Sequence, residues 1–149
     1  MRASQKNLMI ATAESCTGGM ISAALTDIPG SSSVFTHGFV TYANEAKEKV
    51  LGVSGELLIK HGAVSAAVAS AMARGALKVS KADIAVAVTG VAGPGGGTPE
   101  KPVGLVYIAI AKGNHVTAYR HRFSGISRRV IRIQTTKMAV RYLNNIISA

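Results

Sequence analysis

Ser15, Cys16 and Thr17 stand side by side immediately ahead of Gly18 and Gly19, so three side chains with nucleophilic atoms meet two residues that let a chain turn sharply. A hydroxyl exposed on such a turn could attack a carbonyl carbon. The backbone N–H groups opening a following helix could hold the oxyanion or a bound anion. Ordinary helix capping by Ser15 or Thr17 explains the same spacing and stays open. Cys16 reads more simply as a small residue near the core than as a reactive thiol.

A nucleophilic serine needs a base. The four histidines are His37, His61, His115 and His121, none beside an acid in a recognisable motif, which gives a Ser-His-Asp triad little support. Lysine is the other option. The segment FVTYANEAK, residues 39–47, leaves a strand and enters a short helix, where Lys47 could turn inward and act as base if desolvation lowered its pKa. A solvated lysine is the ordinary alternative, and Tyr42 is as readily a packed, hydrogen-bonded ring as an acid catalyst.

The glycine-rich run TGVAGPGGG, residues 89–97, has the composition of a phosphate cradle. It lacks both the G-x-G-x-x-G spacing of a dinucleotide site and the Gly-Lys-Ser/Thr ending of a P-loop, so nucleoside triphosphate chemistry is not supported. A mobile surface loop is the competing reading. Arg128 and Arg132, four apart at the start of the last helix, share a face near the positive end of its dipole, which suits a phosphate. Together with Arg129, Lys137 and Arg141 the same helix could instead present a basic stripe to nucleic acid or to water. Carboxylates are few and scattered and no H-E-x-x-H spacing occurs, so no catalytic metal is expected.

The elements that must carry these residues follow from periodicity and turn chemistry. Residues 8–13 read as a buried strand feeding a helix over about 18–25. Residues 34–42 read as a strand interrupted by Gly38, followed by a short helix over 44–51. A longer, alanine-rich helix starts after Ser65, a candidate N-cap, and runs to about Val79. The apolar run 83–88 delivers the glycine-rich loop. The runs 103–112 and 115–123, separated by Gly113-Asn114, propose an antiparallel hairpin. The last helix, about 128–147 with Ser127 as cap, places Ile133, Thr136, Val140, Leu143 and Ile147 on one stripe. With no repeat or linker in view, one domain over residues 1–149 is expected: a mixed sheet covered by helices.

Composition sets the outer limits. The chain has 149 residues and a formal charge of +10, from 17 Lys and Arg against 7 Asp and Glu, which points to anionic partners, either a phosphorylated metabolite or nucleic acid. Cys16 is the only cysteine, so an intramolecular disulfide and a multi-thiolate zinc site are both excluded, and a reducing cytoplasm fits best. No apolar run approaches the ~20 residues that span a bilayer, and no signal-peptide pattern opens the chain.

The segments AESCTGG (13–19), PGSSSVF through GFVTYANEAK (29–47), GAVS (62–65), TGVAGPGGG (89–97), KPVGLVY (101–107) and FSG (123–125) occur in one order. As an ordered set they resemble the CinA C-terminal domain family, which includes stand-alone nicotinamide mononucleotide deamidases of the PncC type. The resemblance covers almost the whole chain from Ala11 onward. It implies a three-layer α/β/α sandwich with a mixed central sheet. The implied reaction is hydrolysis of nicotinamide mononucleotide to nicotinate mononucleotide and ammonia, with no cofactor.

It further implies Ser15 as nucleophile, Lys47 as base and Tyr42 as a proton relay. Backbone N–H groups around Thr17, Gly18 and Gly19 would serve the oxyanion. Cys16, Asn44, Gly90, Ala92 and Gly93 would contact the substrate, and Arg128 and Arg132 its phosphate. A homo-oligomer is expected, and nucleic acid is not the expected partner. The alternative is a binding module that keeps the fold without the chemistry and uses its basic surface on nucleic acid or another acidic partner. Two departures from the family pattern bear on the outcome. Only residues 1–7 precede the first strand, so the family's leading helix is expected to be missing. The chain reads FSGISR over 123–128 where the family follows F-x-G with Asp-Arg, which aligns Arg128 only through a one-residue insertion.

Overall fold

Strand β1, Ile10–Glu14, is buried at every position because it runs through the middle of a five-stranded sheet. It lies parallel to β2, Phe35–Val40, on one side and to β3, Ile84–Gly90, on the other. Beyond β3 the sheet turns antiparallel through β4, Leu105–Lys112, and β5, His115–Arg122. The order is β2-β1-β3-β4-β5, so the sheet is mixed, and Lys112 pairs with His115 across the Gly113-Asn114 turn. The computed structural model describes residues 2–149.

Alternation along the strands sorts residues by size between two helical layers. Ile10, Ile84, Val86, Val88, Val106, Ile108 and Ile110 face one layer. It is built from α1, Arg2–Gln5, α2, Met20–Thr26, and α6, Arg128–Ser148. The opposite face is almost all alanine, with Ala11, Ala13, Ala85, Ala87, Ala109 and Ala111. It receives α3, Asn44–Leu51, α4, Gly55–His61, and α5, Ala66–Ser80. Small side chains on both surfaces let α5 lie close to the sheet, which explains the alanine-rich helix noted in the sequence.

At Gly75 of α5 a Cβ would fall 2.0 Å from the carbonyl oxygen of Leu51 at the end of α3. Gly→Ala inside a helix ordinarily stabilises by ~1 kcal/mol. Here the sign reverses. Gly75→Ala is expected to cost about 1–3 kcal/mol through forced separation of α3 and α5, read as a Tm lowered by several degrees.

Three expectations are corrected. A helix does precede β1, although it is a single turn, and its Ala3 is buried against the α6 layer. Helix α2 starts at Met20 rather than Gly18, because Gly18 and Gly19 take φ of 59° and 103° and form the turn ahead of it. On α6, Thr136, Leu143 and Ile147 of the expected stripe are buried together with Ile131, Thr135 and Ala139, while Ile133 and Val140 sit on its flank. Thr135 donates its hydroxyl to the Ile131 carbonyl at 2.8 Å, so a polar residue enters the core with its bonding satisfied.

Candidate active site

Because β1 has parallel neighbours on both sides, the loops leaving β1, β2 and β3 emerge at the same end of the sheet. The chain departs in opposite directions on either side of β1. Crevices at such switch points, outside the carboxyl ends of the strands, are where open α/β sheets hold ligands. Ser15 follows β1, Thr41 and Tyr42 follow β2, and the glycine-rich loop follows β3.

The turn at Ser15 is fixed bond by bond. Ser15 donates its N–H to the Val88 carbonyl at 3.1 Å, and its own carbonyl accepts from Gly18 N–H at 3.0 Å. Helix α2 has no side-chain cap from Gly19, its N-cap residue. Glu14, fully buried at the end of β1, caps the helix instead. Its Oε2 accepts from Thr17 Oγ1 at 2.6 Å, Gly19 N at 3.0 Å and Ile21 N at 3.0 Å. Its Oε1 accepts from Ser22 N and Ser22 Oγ, both at 2.8 Å. The donors that normally make a helix N-terminus an anion site are therefore already engaged.

Arg132 of α6 closes the turn from the other side, donating from Nε to the Cys16 carbonyl at 3.0 Å and from Nη2 to the Thr17 carbonyl at 3.1 Å. Among the described residues the N–H groups of Cys16 and Thr17 donate to no other residue, and the Cys16 N–H meets only its own thiol sulfur. Of the two, only Cys16 lines the adjoining cleft.

Lys47 points into the protein from α3, on the same face as Leu51 one turn later, and is 1% exposed. Its Nζ lies 3.3 Å from Ser15 Oγ, 2.9 Å from the Thr41 carbonyl and 3.0 Å from the Tyr42 carbonyl. Burial lowers its pKa from 10.5, with no carboxylate among its hydrogen-bond partners to oppose the shift. A neutral amine has two N–H groups and one lone pair. The two carbonyls take the donors, which leaves the lone pair for the Ser15 hydroxyl proton.

The cleft beside this pair has a volume of about 290 Å³. Tyr42, Asn44, Ala63, Val64, residues 89–93, Gly95 and Gly96 line its walls, with Arg128 at one side. Arg128 bridges the mouth, donating to the Gly93 carbonyl at 2.8 Å and to the Tyr42 hydroxyl at 3.0 Å. Thr89 donates its hydroxyl to the Ala63 carbonyl at 2.9 Å, tying the end of β3 to the turn before α5.

The profile of the CinA C-terminal domain matches residues 1–147, which is nearly the whole chain. The chain belongs to the CinA C-terminal domain family. A putative competence-damage inducible protein of Caldicellulosiruptor saccharolyticus is 57% identical over 126 residues, covering 85% of this chain and 31% of its own. A CinA-like protein of Geobacter sulfurreducens is 53% identical over 139 residues, covering 93% and 33%. This CinA domain thus spans about a third of the length of the curated relatives it matches. Among solved structures, the competence/damage inducible protein CihA of Agrobacterium tumefaciens superposes with a TM-score of 0.95 at 50% identity. It is matched over 99% of this chain and 89% of that one. A CinA superfamily protein of Escherichia coli gives 0.93 at 34% identity, over 97% and 84%.

Of the residues singled out in the sequence, the CinA fold gathers Ser15, Cys16, Tyr42, Asn44, Lys47, Gly90, Ala92, Gly93 and Arg128 around one cleft. It places Thr17, Gly18, Gly19 and Arg132 behind it. The Thr17 hydroxyl and the Gly19 N–H belong to Glu14, Gly18 N–H belongs to Ser15, and Arg132 spends its fork on the turn's carbonyls. Tyr42 touches Lys47 through its carbonyl, while the residue is 58% exposed and its hydroxyl meets Arg128, so the phenol is no relay between Ser15 and Lys47 in this arrangement. Cys16 has its thiol pKa pushed up by burial to about 11, which keeps it protonated near neutrality. Among the described residues no group of three or more His, Cys, Asp and Glu side chains could hold a metal ion. No helix among them is long and apolar enough to cross a membrane.

Glu14 is the residue whose role the sequence reading missed. A carboxylate closing an otherwise apolar strand, three residues before a threonine, was the available signal.

The Lys47 environment carries a pH prediction. Burial disfavours the ammonium form, so the folded protein sheds this proton at lower pH than free lysine does, and the amine can act as base only above that point. A reaction that uses Lys47 as base is expected to gain kcat/KM with rising pH along a limb centred below 10.5. Lys47→Arg, which stays protonated, is expected to abolish the limb together with the activity.

Proposed function

We propose that this domain is a nicotinamide-nucleotide amidase, converting nicotinamide mononucleotide to nicotinate mononucleotide and ammonia with a Ser15–Lys47 dyad. The observation that carries the reading is the buried Lys47 Nζ, held by two carbonyls and 3.3 Å from Ser15 Oγ, at the end of a cleft. Membership of the CinA family supports the choice of substrate, and the cleft volume of about 290 Å³ sits near the lower end of the ~300–1,000 Å³ usual for small-molecule sites.

Neutral Lys47 takes the Ser15 proton as Oγ attacks the carboxamide carbon, and the N–H of Cys16, the residue after the nucleophile, donates to the oxyanion. The resulting ammonium returns the proton to the amide nitrogen. The C–N bond breaks and ammonia leaves. Water then attacks the acyl-serine, again losing a proton to Lys47, and the carboxylate product departs with Ser15 restored. Arg128, at the positive end of α6 and on the cleft wall, supplies charge for the 5′-phosphate. Gly90 and Gly93 give the loop its close path, since a Cβ on either would meet Val106 or Val103 at under 3 Å.

Incubation of the purified protein with nicotinamide mononucleotide, in the presence of a chelator, tests the reading. Nicotinate mononucleotide and ammonia should appear in equal amounts. Folded protein that forms neither would remove the amidase assignment.

A further inference from the structure

We infer that Arg132 is a positioning residue for the oxyanion donor, acting through the backbone of the nucleophile turn rather than on a substrate phosphate. The inference rests on the amidase reading only in taking Ser15 as the nucleophile.

Three peptide planes link the guanidinium to the Cys16 N–H. Arg132 Nη2 donates to the Thr17 carbonyl, and the same planar peptide carries the Gly18 N–H at its other end. Gly18 N–H donates to the Ser15 carbonyl, and that peptide in turn carries the Cys16 N–H. Arg132 Nε holds the intervening Cys16–Thr17 peptide by its carbonyl. Fixing the Thr17–Gly18 plane thus fixes the Ser15–Cys16 plane and the direction of the Cys16 N–H beside Ser15 Oγ. A charged donor at the start of the chain also polarises each following bond, making the last N–H a better donor to a developing negative charge.

The guanidinium lies directly against the turn at Gly18. Gly18 has a φ of 59°, and a Cβ on it would come within 3.3 Å of Arg132 Nη2, so the turn is shaped with the guanidinium lying against it. Arg128, one helical turn earlier on α6, lines the cleft and Arg132 does not. The two arginines therefore divide the labour: Arg128 faces what enters the cleft, and Arg132 faces the chain that carries the nucleophile.

The test needs a readout free of the nucleotide. A small fluorophosphonate is attacked by Ser15 Oγ at phosphorus with loss of fluoride, the serine proton passing to Lys47, and its phosphoryl oxygen uses the same oxyanion donor. Labelling of Ser15 should slow by about 10–100-fold in Arg132→Met, the loss typical of a weakened oxyanion donor or less. Arg132→Lys, which keeps the charge and one bond, should fall between native and Arg132→Met, and Lys137→Ala, at an exposed position of the same helix away from the cleft, should label at the native rate.

With nicotinamide mononucleotide and its phosphate-free riboside compared, the Arg132 variants should lose kcat equally on both at unchanged KM. Arg128→Ala should instead raise KM for the nucleotide alone. Native-rate labelling of folded Arg132→Lys and Arg132→Met, or an Arg132 effect confined to KM for the nucleotide, would overturn the inference, as would native protein that is never labelled at Ser15. Native protein that labels at Ser15 but leaves the nucleotide intact would defeat the substrate assignment alone, and the labelling series would still stand.

Discussion

Ser15→Ala is expected to lower the rate of amide hydrolysis by at least ~10⁴-fold while leaving the fold unchanged, since it removes one oxygen atom from a turn fixed by other groups. The Ser15 backbone bonds to Val88 and Gly18 and the Glu14 cap all survive the change. Lys47→Met should lose as much. The double variant should be no worse than either single one, because nucleophile and base act as a unit.

The stability of Lys47→Met separates a catalytic lysine from a structural one. Lys47 occupies a core position with its charged form disfavoured by burial. Methionine fills nearly the same volume without that cost, although it leaves the Thr41 and Tyr42 carbonyls without their donor. A variant that is dead yet melts near the native temperature is the expected outcome. One that unfolds would make Lys47 chiefly a structural pin.

Glu14→Gln carries the largest expected effect on stability, about 3–5 kcal/mol, and with it a Tm lower by roughly 10 °C. Each carboxylate oxygen accepts from groups that are all donors. Either orientation of the amide would therefore set an NH₂ against one or two backbone N–H groups in a fully buried place, since only the Thr17 and Ser22 hydroxyls can turn to accept. Thermal melts of Glu14→Gln and Glu14→Asp measure it. A shift of only a degree or two would show that α2 is capped by other means. Because the cap also seats Thr17, the glutamine variant should lose activity along with stability, unlike Ser15→Ala.

The sheet and most helices could be read from the sequence because their signals are local. The apolar run before Ser15, the Ser65 cap with its alanine-rich helix, and the Gly113-Asn114 hairpin each depend on a few adjacent residues. Ser65 does accept from Val68 N at 3.2 Å. Helix α4 escaped because it has no stripe to read: only Leu58 is buried, and Ile59 is 89% exposed. On α6, the buried face was read correctly at Thr136, Leu143 and Ile147 and misplaced at Ile133 and Val140. Thr135 and Ala139 do the packing there while Ile133 lies to the side.

The site was legible to a different degree. Family resemblance brought Ser15 and Lys47 together, and the fold shows why that lysine is not solvated: α3 places it one turn before Leu51, on the buried face. What the sequence could not reveal was how backbone groups are allotted. Gly18, Gly19 and the start of α2 looked like an anion site, but the Ser15 carbonyl holds the Gly18 N–H and Glu14 holds those of Gly19, Ile21 and Ser22. Arg132 looked equivalent to Arg128 by helical spacing. A difference of one turn along α6 sends one guanidinium to the cleft and the other to the Cys16 and Thr17 carbonyls.

The most direct test of the Ser15–Lys47 dyad is ammonia release from nicotinamide mononucleotide, measured side by side for the native protein, Ser15→Ala and Lys47→Met, with each shown to be folded by its melting curve. The dyad predicts steady release from the native protein and none above background from either variant. Turnover that persists in folded Ser15→Ala would contradict it.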